Sequence, residues 1–208
     1  MVAIVDYGVG NLFSLASSFS FVGQEAVITS SADVIRRADR ILLPGVGAFS
    51  DAIKKLEESG LIPVIMEECE KGKPLLGICL GMQLLFEKSF EYGEHKGLGL
   101  IPGSIRPIAD VISPELKIPH IGWNALNFVG KTSPIFCYLK EGDFVYFVHS
   151  FYAAECDEYV SANTEYSVPL TAAVQNKNIF GFQFHPEKSG EVGLSILRAF
   201  CEWEGVLC

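Results

Sequence analysis

Cys79 sits between two glycines, each two positions away, in the run GICLGMQ at residues 77–83. Glycine weakens strands and helices alike, so a pair of them around one thiol needs a reason. A strand that ends in Gly-x-nucleophile-x-Gly and enters a helix makes a turn too sharp for side chains at the flanking positions. Such a turn would carry Cys79 to the amino end of the next helix, where the dipole and unpaired N–H groups favour thiolate. It would also place the N–H of Leu80 to receive an oxyanion. A glycine-rich turn holding a buried cysteine is the other reading, and this motif alone leaves both open.

A thiolate needs a base, and the chain has four histidines: His95, His120, His149 and His185. His95, in YGEHKG, reads as part of a solvated polar loop. His185, in GFQFHPEKS, follows an alternating strand that Pro186 ends, and Glu187 stands two residues on. A carboxylate that close can hydrogen-bond the imidazole and fix its tautomer, as the third member of a triad does. Without a thiol turn elsewhere, an exposed histidine beside a solvated glutamate would be the better account. With both features present, a triad of Cys79, His185 and Glu187 accounts for more.

Elements at the right spacing are needed to hold such a site. The first half alternates short apolar runs with helical patterns. VAIVDYG reads as a strand, and Asn11 can cap a helix over residues 12–22 that ends at Gly23. EAVITS is a second strand, Ser31 can cap a short helix, and DRILLPGVGAF is a third strand running into a glycine loop. Helical stretches at 51–58 and 61–70 precede a fourth strand, KPLLGIC. LGMQLLFEKS then reads as a helix with Leu80, Leu84 and Leu85 on one face. Strand–helix alternation at this spacing implies an α/β fold with a parallel sheet covered by helices on both faces.

In the second half, short β-prone runs dominate: GLGLIPGSIRPI, ALNFVG, DFVYFVHSFY, LTAAVQ and IFGFQFHP. They read as antiparallel strands added to the sheet. Helix returns at the end, where Val192, Ile196, Phe200 and Trp203 recur at helical spacing. Nothing looks like a linker or a repeat, so residues 1–208 are expected to form one domain.

Composition narrows the function. Nearly half the 208 residues are hydrophobic (49%) and the mean hydropathy is +0.30, enough for a substantial core. A formal charge of −9 leaves no basic patch for phosphates, which argues against a nucleic-acid partner. No apolar run is long enough to span a membrane, and MVAIVDYG lacks the basic region and cleavage site of a signal peptide. The expected location is the cytoplasm, with no membrane partner. Cys69, Cys79, Cys137, Cys156, Cys201 and Cys208 have no metal-ligand or dithiol spacing, so no metal is expected. Apart from Cys79, each is expected to be a small buried hydrophobe with a free thiol.

GICLGMQ together with HPE resembles the signature of the class I glutamine amidotransferases, the triad glutaminases. DYGVGNL at the start, PGVGAF after the third strand, PHIGWN at 119–124 and HPEKS at 185–189 narrow the resemblance. They are similar to the glutaminase subunits of imidazole glycerol phosphate synthases, across essentially the whole chain. The resemblance implies a flavodoxin-like, mostly parallel central sheet with added antiparallel strands. It also implies hydrolysis of L-glutamine through a cysteinyl thioester, with Cys79 as nucleophile, His185 as proton carrier and Glu187 orienting it. The oxyanion would be held by the N–H groups of Leu80 and of Val46 in the PGVG loop, with Gly45 and Gly47 letting that backbone turn.

By the same resemblance, Gln83 and Glu91 would face the amino-acid head of glutamine, beside Gly47, and the backbone at Ser150 and Phe151 would receive its carboxylate. Phe151 stands where these proteins usually have tyrosine, so a hydroxyl role is lost there but a backbone role is not. For Glu91 a solvated loop acid is the competing reading. PHIGWN is read as a loop on the face that docks a cyclase subunit, with Asn11, Pro119, Trp123 and Lys188 on that face. Trp123 as a core anchor and Lys188 as a solvated lysine are the alternatives. No cofactor is implied. A subunit for anthranilate or pyridoxal phosphate synthesis is a competing reading that PHIGWN and HPEKS oppose. A non-catalytic module would be expected to have lost a triad residue, and a hydrolase acting alone would turn over without a partner.

Overall fold

Apolar four-residue runs with both faces covered build the centre of the computed structural model, which describes residues 1–131 and 133–205; Cys208 lies outside them. In chain order the elements begin with β1 (Val2–Val5), α1 (Leu12–Phe21), β2 (Ala26–Thr29), α2 (Ala32–Arg37), β3 (Arg40–Leu43), α3 (Phe49–Glu58) and α4 (Ile62–Glu70). Next come β4 (Leu75–Ile78), α5 (Leu80–Leu84), β5 (Phe86–Ser89), β6 (His95–Lys96), β7 (Ile101–Pro107), β8 (His120–Ala125) and β9 (Asn127–Phe128). The remainder are β10 (Phe144–His149), β11 (Phe151–Ala154), β12 (Val160–Glu165), β13 (Pro169–Asn176), β14 (Ile179–Phe182) and α6 (Gly190–Glu202).

The main sheet runs β2-β1-β3-β4-β14-β13-β12-β9. From β2 to β14 every pairing is parallel; beyond β14 every pairing is antiparallel. Strands of a parallel sheet are buried on both faces and read as continuous apolar runs. In β1, accordingly, Ala3 and Val5 join one core with Phe49, Leu56 and Ile65, while Val2 and Ile4 join another with Phe19, Phe180 and Phe200. Because β14 lies beside β4, and β3 on β4's other side, the carboxyl ends of three neighbouring parallel strands open onto one spot. In open α/β sheets that edge is where ligands bind.

Several expectations change. Helix does not continue through FEKS: α5 stops at Leu84, and Phe86–Ser89 pairs in parallel with β7 and antiparallel with β6. That pairing buries Phe86 and Ser89, and tertiary pairing decides such short segments over local periodicity. PHIGWN is not a loop, since His120–Ala125 pairs along its length with β10. The second-half strands do not all join the main sheet; β11-β7-β5-β6 and β10-β8 are separate, and DFVYFVHSFY is broken at Ser150 between two of them. IFGF joins β4 in parallel, and β12 carried no apolar run to announce it. Ser31 makes no side-chain cap. His95 is half-buried in β6, 6.4 Å ring to ring from Phe49, where a polar loop was expected. No helix among the described residues is long and apolar enough to cross a membrane.

Candidate active site

Cys79 adopts φ 54°, ψ −112° between β4 and α5, a conformation that non-glycine residues seldom hold unless the surroundings enforce it. The enforcement is visible. Its N–H donates to the Phe182 carbonyl of β14 at 2.7 Å, and its own carbonyl accepts the Gln83 N–H at 3.2 Å. A Cβ on Gly77 would come within 2.6 Å of the Gly81 carbonyl oxygen, and one on Gly81 would run into the Leu43 carbonyl. Both glycines are therefore required by backbone packed on backbone. α5 has five residues, so it carries a smaller dipole than the longer helix expected at this position.

His185 follows β14 and is 3% exposed. Its N–H donates to the Tyr146 carbonyl at 2.9 Å, and its carbonyl accepts the Ser189 hydroxyl at 2.6 Å. Nδ1 lies 2.8 Å from Oε1 of Glu187, whose side chain is 2% exposed. Nε2 has no hydrogen-bond partner among the described residues. With Nδ1 committed to Glu187, Nε2 is the nitrogen available to the thiol. Burial alone would lower the imidazole pKa, but the adjacent Cys79 and Glu187 outweigh it and raise it to about 9.

A cavity of about 320 Å³ opens at this point. Cys79, Leu80, Val46, Gly47, Gln83, Glu91, Ser150, Phe151 and His185 line it, together with Tyr92, Pro119, Val148 and His149. A cavity of that size suits a small polar metabolite. Val46 is 46% exposed on the loop after β3. Gly47 there has φ +96°, whereas Gly45 is needed for clearance, since its Cβ would lie 2.6 Å from the Gly81 N. Tyr7, from DYGVGN, donates its buried hydroxyl to the Pro44 carbonyl at 2.6 Å and so ties the end of β1 to this loop. Burial and the nearby Cys79 raise the Tyr7 pKa and keep that donor protonated.

Glu91 is not a solvated acid. It is 8% exposed, and Oε2 accepts the Phe49 N–H at 2.6 Å, capping α3 from outside that helix. Burial raises its pKa, against the Phe49 N–H and His95, which lower it. Gln83 Nε2 donates to Gln183 Oε1 at 2.9 Å and to the Phe151 carbonyl at 3.4 Å. Gln183, fully buried, in turn directs Nε2 at the Cys79 sulfur at 3.8 Å. Sequence reasoning passed over Gln183; an amide two residues before His185, in the apolar run GFQF, was the available signal. Cys69, Cys156 and Cys201 are buried, and burial pushes their thiols to about 12, about 11 and about 11. Cys137 is exposed, contrary to expectation.

The surface residues divide. Trp123, 53% exposed, meets Tyr146 edge to face at 6.2 Å, and Lys188 Nζ lies 5.6 Å above the same Tyr146 ring. Ile121 and Phe144 extend this exposed face of the β8–β10 ribbon. Pro119 lies at the cavity rim. Asn11 is exposed and caps α1, accepting the Ser14 N–H at 3.5 Å; α1 packs on the Pro186–Lys188 turn.

The sequence profile described as Glutamine amidotransferase class-I matches residues 3–202. The chain belongs to that family. Among curated members of the family, "Imidazole glycerol phosphate synthase subunit HisH" of Bacillus cereus (strain B4264) is 48% identical over 200 residues, 96% of this chain and 93% of the relative. The protein of the same name from Aquifex aeolicus (strain VF5) is 50% identical over 200 residues, covering 95% and 94%. That from Lactococcus lactis subsp. lactis (strain IL1403) is 49% identical over 203 residues, covering 97% and 98%. The amidotransferase fold is also shared with solved structures. "Crystal structure of glutamine amidotransferase" superposes with TM-score 0.72 at 18% identity, covering 96% and 99% of the two chains. "Structure of PurLQS from Thermotoga maritima" does so with TM-score 0.71 at 20% identity, covering 96% and 96%.

Proposed function

We infer that this chain is the glutaminase subunit of an imidazole glycerol phosphate synthase. It acts as one domain in a cytoplasmic heterodimer with a cyclase subunit, and hydrolyses L-glutamine to supply that subunit with ammonia for histidine biosynthesis. The observation that carries the chemistry is the single cavity into which three strand ends bring Cys79, His185 backed by Glu187, and the Val46 loop. Near half of all positions are shared with proteins of that synthase name over almost the whole chain, which supports the choice of synthase.

Each residue has a task. The Cys79 sulfur adds to the side-chain amide carbon of glutamine, and the electron pair moves to oxygen. The N–H groups of Leu80 and Val46 receive that oxyanion, and losing one such donor costs about 2.7–4 kcal/mol of barrier. His185, having taken the Cys79 thiol proton on Nε2, hands it to the nitrogen, the C–N bond breaks, and ammonia leaves a thioester on Cys79. The neutral imidazole then takes a proton from water, which displaces sulfur and releases glutamate. Glu187 holds His185 in the tautomer this exchange requires. Glu91 and Gln83, beside Gly47, face the amino-acid head of glutamine, and the Ser150–Phe151 backbone receives its carboxylate.

Asn11, Pro119, Trp123 and Lys188 form the docking face for the cyclase. The Gly45–Val46 peptide, able to present its N–H to the oxyanion in one orientation and not in another, links docking to turnover. Such a device requires the partner's ligand to bind the active orientation more tightly than the idle one. The test is glutamine hydrolysis by the chain alone, with the cyclase, and with the cyclase and its ribonucleotide substrate. Near-zero, low and full activity are expected in that order. Full turnover by the chain alone would refute the coupling, and no turnover in any arm would refute the glutaminase assignment.

A further inference from the structure

A line of hydrogen bonds leaves the thiol pocket and ends on β8. Gln183 Nε2 lies 3.8 Å from the Cys79 sulfur, and Gln83 Nε2 lies 2.9 Å from Gln183 Oε1 and 3.4 Å from the Phe151 carbonyl oxygen. The same oxygen is 2.8 Å from His149 Nδ1. His149 Nε2 is 3.0 Å from His120 Nδ1, and His120 Nε2 is 3.5 Å from Asn124 Nδ2.

The direction of every bond follows from what these groups can do. A carbonyl oxygen only accepts, so His149 carries its proton on Nδ1 and Gln83 turns its NH2 toward Phe151. A neutral His149 then accepts at Nε2, so His120 also carries its proton on Nδ1 and accepts at Nε2. The far end agrees independently. Asn124 is oriented by donating to the Glu165 carbonyl at 2.8 Å and accepting the Ala125 N–H at 2.9 Å, which leaves NH2 toward His120. On the other side, Gln183 must offer its oxygen to Gln83, and its NH2 is thereby aimed at the sulfur. Burial keeps both imidazoles neutral, lowering His120 and pushing His149 down to about 3.

Core packing alone does not call for this polarity. His120 stacks between Phe147 and Tyr166, with centroids at 5.1 and 4.2 Å, a place an apolar ring could fill without two buried imidazoles. We propose that His149, backed by His120, is a positioning residue of the glutaminase site. It pins the Phe151 carbonyl and, through Gln83, fixes the Gln183 amide with its N–H on the Cys79 sulfur. His120 and Asn124 lie on the inner face of the strand whose outer face carries Trp123, so the line also joins the exposed ribbon to the thiol pocket.

The proposal rests on the glutaminase reading, and two measurements separate their failures. The first needs no activity: nitrogen-15 NMR of the ring nitrogens in the intact chain. Both histidines should be neutral Nδ1–H tautomers between about pH 6 and 8. An Nε2–H tautomer or a protonated ring at His149 would overturn the relay. The second is glutamine hydrolysis in the complex, with Cys79→Ser as the blank. His149→Leu should lower kcat/KM at least about tenfold, while His149→Asn, whose amide nitrogen replaces Nδ1, should return to within about threefold. His120→Leu should cost little more when added to His149→Leu, because the two act as one unit. Wild-type kinetics in His149→Leu, no recovery in His149→Asn, or independent losses for the two histidines would each refute positioning. If the unmutated complex shows no hydrolysis above the Cys79→Ser blank, the glutaminase reading fails, while the tautomer measurement still decides the relay.

Discussion

Gly81 is pressed against the Leu43 carbonyl with no room for a single added carbon. The contact locks the thiol turn to the end of β3, from which the Val46 loop departs. Cys79 and the loop proposed to hold the oxyanion thus share a backbone contact that sets one against the other.

Gly81→Ala should therefore harm chemistry more than stability. Relief of the clash needs a backbone shift, worth about 1–3 kcal/mol in stability. A displacement of about 1 Å at a reacting group can cost about a hundredfold in rate. Thermal melts paired with glutamine hydrolysis in the complex check this; a folded variant with normal turnover would contradict it.

Labelling distinguishes Cys79 from the other thiols. A glutamine-derived electrophile should modify Cys79 ahead of Cys69, Cys156 and Cys201, whose burial holds them protonated. Cys79→Ser should abolish hydrolysis while keeping the melt and the binding of the partner. Peptide mass spectrometry that finds Cys69 or the exposed Cys137 modified first would exclude Cys79 as the reagent.

His185→Ala should cost about a thousandfold or more, and Glu187→Gln less, since the amide keeps part of the orientation. His149 cannot substitute as base, with both ring nitrogens bonded and a pKa near 3. The two histidines also bend the stability profile in opposite directions. His185 is raised from 6.5 to about 9, so its contribution is complete below pH 6.5 and is lost as pH rises through 9. His149 is lowered to about 3, so its contribution is complete above pH 6.5 and fades as pH falls toward 3. Denaturant midpoints across pH 4–10 should show His185→Ala flattening the alkaline limb alone.

Trp123→Ala should weaken association with the cyclase by about 2 kcal/mol, roughly thirtyfold, as truncation of a central aromatic does. The ring projects from the β8–β10 ribbon beside Tyr146 and Lys188. Titration calorimetry measures the loss, and saturating partner should restore turnover because Trp123 lies outside the cavity. Unchanged affinity would remove this ribbon from the interface.

Much of the first half was legible because its strands are buried on both faces and punctuated by glycine. β1 to β4 each occupy an apolar run that strand periodicity describes well. Phe86–Ser89 was misread as helix because Leu80, Leu84 and Leu85 share a helical face that the run reads as continuing, and only pairing with the distant β7 decides for β. PHIGWN looked like a loop because glycine and proline punctuate it, while the strand that pairs with it lies more than twenty residues downstream. The thiol turn and HPE announced themselves through residue type and spacing. Gln183 and the His120–His149 pair did not, because their significance lies in which atoms meet across sheets.

β14 enters the middle of the main sheet although it is made last of the strands there. Its Phe182 carbonyl receives the Cys79 N–H, and Gln183, 104 residues after the cysteine, reaches the sulfur. On the ribosome, where a chain emerges amino end first, β4 and its thiol turn wait with one open edge until nearly all the protein has been synthesised. Translation itself thus withholds the thiol's companions: a prematurely terminated product carries the cysteine but neither β14 nor the His185 proposed as its base, and is expected to spend no glutamine.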